Sequence, residues 1–122
     1  MCKVIQYVRE LGPARITAAQ LAEFAGLLAS APSADDRREA VAFFLRSAAP
    51  TPEQVVALSE SDAVRNDLAL LQLLKRHARS EEFRLSHESE TERLSKPWAT
   101  AFELLRAVTG VIPPSNRRRI AP

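Results

Sequence analysis

Cysteine, glycine and long apolar runs are scarce in this chain of 122 residues, and each shortage excludes a class of protein. The single cysteine, Cys2, rules out an internal disulfide and is typical of a protein in the reducing cytoplasm. Only 3 glycines are present and β-branched residues form no long alternating run, which disfavours a β-sheet. No apolar stretch approaches the roughly 20 residues that span a membrane. Residues 1–12 lack the pattern of a secretion signal.

Catalytic and metal-binding motifs are also missing from the sequence. It contains no Gly-rich phosphate loop, no G-x-S-x-G motif and no cysteine in a nucleophile pattern. His77 and His87 do not have the short spacing of zinc ligands, so we predict that both are solvated surface residues. We therefore expect a protein that is not an enzyme and that has no catalytic residues, no cofactor and no metal.

Helix-start signals recur along the first half of the chain. Thr17, Ser33 and Thr51 each stand three positions before a side chain that can return a hydrogen bond, as in a capping box. Pro52 follows Thr51 at the first helical position, where its missing N–H is no loss. Apolar residues between the signals repeat every three or four positions. These features predict an all-α protein, a compact bundle of six or seven short-to-medium helices.

The helix boundaries and the domain follow from the same signals. We predict helices over residues 3–11, 17–30, 52–58 and 62–79, one that follows Ser33 and one that follows Pro97. Residues 80–96 are mostly Glu, Ser, Thr and Arg and form either a polar helix or a mobile connection. Residues 1–112 then make a single helical domain, and residues 113–122, with three arginines, make a flexible basic tail.

Apolar seams at helical spacing predict the core and a binding surface. The residues that we expect to be buried are Leu68, Leu71, Phe102 and Leu105. The fifth and last helices carry more apolar residues than one buried stripe needs. We interpret the surplus as an exposed protein-binding or self-association face, because aromatic and aliphatic anchors supply most binding energy. The predicted protein-binding residues are Leu70, Leu73 and Trp98.

One segment resembles a DNA-binding motif. Residues 16–26, ITAAQLAEFAG, resemble the first helix of the helix-turn-helix motif. In that motif, small residues such as Ala22 and Gly26 let two helices cross closely. The resemblance implies cations that contact DNA phosphates, and these would come from the third helix. The predicted DNA-binding residues are Arg37, Arg38 and Arg46.

A second segment resembles a family of regulators. Residues 98–114, WATAFELLRAVTGVIPP, resemble the C-terminal helix and exit of the TraM family, small helical anti-activators of quorum-sensing regulators. Gly110, Ile112 and Pro113 carry the likeness, after an apolar helix. The resemblance implies an inhibitor that acts by binding a transcription regulator.

Two functions follow from these observations. The first is a non-enzymatic, cytoplasmic regulatory or adaptor protein that binds another protein, such as a transcription regulator, through an apolar helix face. A homodimer through that face is a further expectation, and no membrane is involved. The alternative is a small helix-turn-helix-like DNA-binding transcription regulator. The many alanines and arginines are typical of a bacterial protein.

Overall fold

A computed structural model describes residues 3–11, 16–31, 33–87 and 92–110 of the chain. These residues form six α-helices and contain no β-strand, which confirms the predicted all-α bundle. The helices are α1 (Lys3–Leu11), α2 (Ala18–Ala29), α3 (Ala34–Ser47), α4 (Pro52–Ser59), α5 (Leu68–Ser86) and α6 (Glu92–Gly110). None of them is long and apolar enough to cross a membrane. Cys2 and the predicted basic tail over residues 113–122 lie outside the described residues.

The predicted helix starts at Thr17, Ser33 and Thr51 are confirmed. Thr17 and Thr51 each form a complete capping box, and the hydroxyl of Ser33 accepts a hydrogen bond from the Asp36 N–H. The side chain of Gln54, which completes the second box, also donates from Nε2 to the Ile16 carbonyl at 2.7 Å. The cap of α4 is therefore joined to the segment that leads into α2.

The fifth helix begins and ends later than predicted. Residues 62–66 form turns, and α5 starts after Asp67, whose carboxylate accepts the Leu70 N–H at 3.2 Å. Asp62 lies in these turns, where its carboxylate pairs with Arg65 at 3.3 Å. The predicted range 62–79 is therefore wrong at both ends.

The polar second half of α5 is helical for two reasons. Ion pairs three residues apart, Arg79 with Glu82 at 3.3 Å and Arg84 with Glu81 at 2.6 Å, stabilise its exposed side. Leu85 extends the buried apolar face of α5 to its last turn and is only 8% exposed. Residues 80–87 and 92–96 are thus helix and turn, and residues 88–91 of that predicted segment lie outside the described residues.

The last helix begins before Pro97 rather than after it. Helix α6 starts at Glu92 and contains Pro97 in its interior. A proline there removes one backbone hydrogen bond, to the carbonyl four residues earlier. The apolar face of α6 packs along α5 in the most extensive helix contact of the described fold, and that packing offsets the lost bond.

One core joins all six helices. Phe24 of α2 stacks on Phe44 of α3, with ring centroids 4.3 Å apart and planes inclined by 13°. Leu71 and Leu105 are fully buried, as predicted. The prediction is wrong for Phe102 and Leu68, which are only partly buried and pack against the core. The outer face of Phe102 is covered by the Arg79 guanidinium, 4.7 Å from the ring centroid, and Leu68 is the first residue of its helix.

Candidate functional site

The apolar residues predicted to bind a protein partner are less exposed than expected. Leu70 is fully buried and Trp98 is 7% exposed, while Leu73 is partly buried and packs against the core. The expected exposure is therefore wrong for Leu70 and Trp98. Helix α5 contacts α3, α4 and α6, so it needs a wide apolar face to pack against three neighbours. The additional apolar residues that suggested an interface therefore pack within the bundle.

The arginines predicted to contact DNA make contacts within the chain. Arg38 pairs with the Asp35 carboxylate, and Arg37 donates from Nη1 to the Ala31 carbonyl at 3.4 Å. Arg46 lies eight residues beyond Arg38, about 12 Å along the helix axis, and its guanidinium is 5.9 Å from the Phe43 ring centroid. The three cations are thus spread along α3, and their role in DNA binding stays a prediction.

The small residues of the motif-like segment do not mediate a close helix crossing. Ala22 and Gly26 are both exposed, and a Cβ built on Gly26 would meet no other atom within 4 Å. The predicted role of these residues is therefore wrong. Helices α2 and α3 meet instead through the large rings of Phe24 and Phe44, which hold their axes apart.

An apolar groove lies between α4 and α6 and encloses about 330 Å³. Leu104, at its outer edge, is 49% exposed, whereas the next residue, Leu105, is fully buried. We call this feature the α4–α6 groove. Its lining residues are Pro52, Glu53, Val56, Ala57, Glu60, Pro97, Thr100, Ala101 and Leu104.

The two walls of the α4–α6 groove differ in charge. Glu53 and Glu60, on the α4 wall, are exposed and form no ion pair with any residue in the described ranges. They are seven residues apart, which is about 10.5 Å along a helix. On α6, the carboxylate of Glu103 beside the groove pairs with Arg106 at 2.7 Å. Two exposed carboxylates without an ion pair therefore lie on the α4 wall, and Glu53 shares the adjoining cleft with Arg46 and Arg84.

A wider cleft of about 700 Å³ adjoins the groove, and Pro52, Glu53 and Pro97 line both. We call it the His77 cleft. The imidazole of His77 and the indole of Trp98 make a T-shaped contact inside it, with ring centroids 5.3 Å apart. Its other lining residues are Leu45, Arg46, Ala49, Pro50, Thr51, Glu81, Arg84, Leu85 and Leu94.

The environment of His77 favours its neutral form. Burial lowers the pKa of the imidazole below its usual 6.5, while Glu81 raises this pKa and Arg84 lowers it. The prediction of a solvated surface histidine is thus wrong for His77, which is partly buried, and is confirmed for His87, which is exposed. A neutral imidazole and an indole give the cleft an aromatic wall.

Three large apolar side chains are well exposed among the described residues, and none of them was predicted to bind a partner. They are Phe83, Leu94 and Leu104, with exposures of 66%, 49% and 49%. The exposure of Leu104 could have been predicted from the sequence, because consecutive residues of a helix point about 100° apart and Leu105 occupies the buried seam. The exposure of Leu94 could not, because the predicted last helix begins after it.

The site has the chemistry of an apolar binding surface. In the described part of the chain, no three His, Cys, Asp or Glu side chains are grouped closely enough to hold a metal ion. No buried side-chain nitrogen or oxygen there lacks a hydrogen-bond partner. The groove offers an apolar floor, an exposed leucine and one acidic wall, an arrangement suited to apolar side chains flanked by cations.

Comparison with known proteins gives no family for this chain. No protein-family model matches it, and no curated protein and no solved structure is significantly similar. The local resemblances of residues 16–26 and 98–114 therefore stay predictions.

Proposed function

We propose that this chain is a non-enzymatic bacterial regulatory or adaptor protein that binds a segment of another protein in the α4–α6 groove. The observation that carries the proposal is the half-exposed Leu104 at the edge of a continuous apolar groove. A contiguous apolar recess on a small domain marks an interaction site more often than a scattered exposed leucine does. The binding residues that we propose are therefore those of α4 and α6 that line the groove, in place of the predicted Leu70 and Leu73.

The proposed mode of action is occlusion. A regulator of this type would hold an apolar segment of a cytoplasmic transcription regulator and keep that segment from its own target, as an anti-activator does. The resemblance of residues 98–114 to such proteins covers most of α6, the helix that supplies Pro97, Thr100, Ala101 and Leu104 to the groove. The resemblance and the groove thus share helix α6, while the likeness itself rests on residues 110, 112 and 113.

Affinity capture with a matched surface variant tests the proposal. Wild type, Leu104→Asp and Ala22→Asp are immobilised, and proteins retained from the native host are quantified by mass spectrometry. Ala22 is exposed on α2, outside the groove lining, and serves as the control position. We expect a protein that wild type and Ala22→Asp retain and that Leu104→Asp loses. Identical protein sets from wild type and Leu104→Asp, both folded by circular dichroism, would contradict the proposal.

A further inference from the structure

We propose that the segment bound in the α4–α6 groove is an amphipathic α-helix with Lys or Arg residues spaced seven apart along one flank. This inference rests on the proposed function, because it names the partner of the same groove. Three properties of the groove support the inference: the hydrogen bonding of the backbone in its walls, its length and the charge of one wall.

The backbone of the groove walls offers no sheet edge to an extended ligand. Both walls are α-helices, so most of their backbone N–H and C=O groups are bonded within the helices. A strand laid in the groove would find no sheet edge to pair with, and its own peptide groups would lose water without replacement. A helix satisfies its backbone internally and presents only side chains to the groove. A helical occupant therefore fits this groove better than a strand does.

The length of the groove corresponds to two helical turns. On α6 the lining runs from Pro97 to Leu104, and on the α4 side it runs from Pro52 to the C-cap residue Glu60. The steps from Pro97 to Leu104 and from Glu53 to Glu60 are seven residues each, or about 10.5 Å. Apolar residues at positions i, i+3 or i+4, and i+7 of a bound helix cover the same distance. Such a ridge would pack on Val56 and Ala101 and cover the exposed part of Leu104.

The charge of the α4 wall selects the flank of the bound helix. Glu53 and Glu60 are exposed, share one side of α4 and have no ion-pair partner among the described residues. Cations seven residues apart on a parallel or antiparallel helix would meet both carboxylates at once. On α6, Glu103 next to Leu104 is paired with Arg106, so it adds no free carboxylate beside the groove. A basic flank is therefore complementary to this groove and an acidic flank is repelled.

A display library tests the inference. The library consists of helix-forming peptides with a fixed apolar ridge and randomised flanking positions, and it is selected on the full-length wild-type chain and on Glu53→Lys/Glu60→Lys. The two reversals have opposite effects on the α4 dipole, because Glu53 is in the first turn and Glu60 is the C-cap. The variant is therefore expected to fold, which circular dichroism checks. Leu104→Asp is the background control.

We expect wild type to enrich peptides with Lys or Arg seven positions apart, and the reversed variant to enrich Asp or Glu at the same positions. The best basic peptide should bind Glu53→Gln/Glu60→Gln about tenfold more weakly, or about threefold for each exposed ion pair. Raising the salt concentration from about 0.05 M to about 0.5 M should remove most of that difference, since exposed charges are screened.

Other outcomes would overturn the inference. Enrichment of uncharged or acidic flanks on wild type would reject the basic helix and leave groove binding, which the capture experiment tests independently. Enrichment no greater on wild type than on Leu104→Asp would reject any helical ligand. A wild-type dimer in sedimentation analysis that Leu104→Asp dissociates would assign the groove to a second copy of the chain instead.

Discussion

The imidazole of His77 on α5 meets the indole of Trp98 on α6 edge-on, with the ring planes inclined by 78°. This contact lies in the most extensive helix pairing of the described fold, between α5 and α6. It also stands beside Pro97, where the His77 cleft and the α4–α6 groove join. The α5–α6 packing and the groove wall therefore share the same stretch of α6.

Protonation of His77 should weaken the fold. Burial lowers the pKa of His77 in the folded chain below the unfolded value of 6.5. The folded state then binds fewer protons than the unfolded state as the pH falls below that value, so stability is full above it and decreases toward acid. From about pH 7.5 to about pH 5, the melting temperature of wild type should fall further than that of His77→Gln. His87→Gln, at an exposed histidine of the same region, should behave like wild type.

Two adjacent leucines of α6 should differ sharply in their contribution to stability. Leu105 is fully buried, so Leu105→Ala should lower the free energy of unfolding by about 2–5 kcal/mol through lost burial and a residual cavity. Leu104 is 49% exposed, so Leu104→Ala should change it by no more than about 1 kcal/mol. Urea unfolding of both variants measures the difference. Similar losses would contradict the assigned faces of α6.

The two capping boxes should contribute unequally to the free energy of unfolding. Gln20→Ala removes the side chain that completes the box at Thr17, and about 0.5–1 kcal/mol is expected for such a loss. Gln54→Ala removes the equivalent interaction at Thr51 and also the bond to the Ile16 carbonyl, so it should cost roughly 1 kcal/mol more. Chemical denaturation of the two variants gives the comparison. Equal costs would show that the bond to Ile16 adds nothing.

The turn between α3 and α4 holds a strained residue. Ala49 has a φ of 46°, in the left-handed region where an alanine costs about 1–2 kcal/mol relative to its preferred conformations. Ala49→Gly relieves this strain but adds unfolded-state entropy, so a net gain of about 0.5 kcal/mol is expected. Ala49→Val should destabilise the chain, because a β-branched side chain is worse at positive φ. Melting temperatures in the order Gly, Ala, Val check the prediction.

The sequence predicted those parts of the fold that depend on local chemistry. At Thr17, Ser33 and Thr51 the signal for a helix start lies within four consecutive residues, so these three helix starts could be predicted from the sequence. The start of α5 could not, because Asp62 and Asp67 are both acceptable caps and only the folded chain shows that Asp67 accepts the Leu70 N–H. The start of α6 was missed for a related reason: packing against α5 offsets a proline that local rules place at a boundary.

The candidate site was harder to predict than the fold. Leu70 and Leu73 were predicted to be exposed because one apolar stripe is enough for a helix that packs against one neighbour. Helix α5 packs against three helices and therefore buries a wider apolar face. Leu104 faces a groove that exists only because α4 lies beside α6, and nothing in either segment specifies that contact. The pair of acidic residues on α4 becomes meaningful only once the opposite wall is known.

Photo-crosslinking in living cells tests most directly whether the α4–α6 groove binds a protein. A photoreactive phenylalanine derivative is placed at position 104 in one sample and at position 83 in another. Phe83 is 66% exposed and lies outside the groove lining, so it controls for apolar exposure alone. We predict a discrete adduct with one other protein from position 104 and none from position 83. The same adducts from both positions, or no adduct from position 104, would contradict the account.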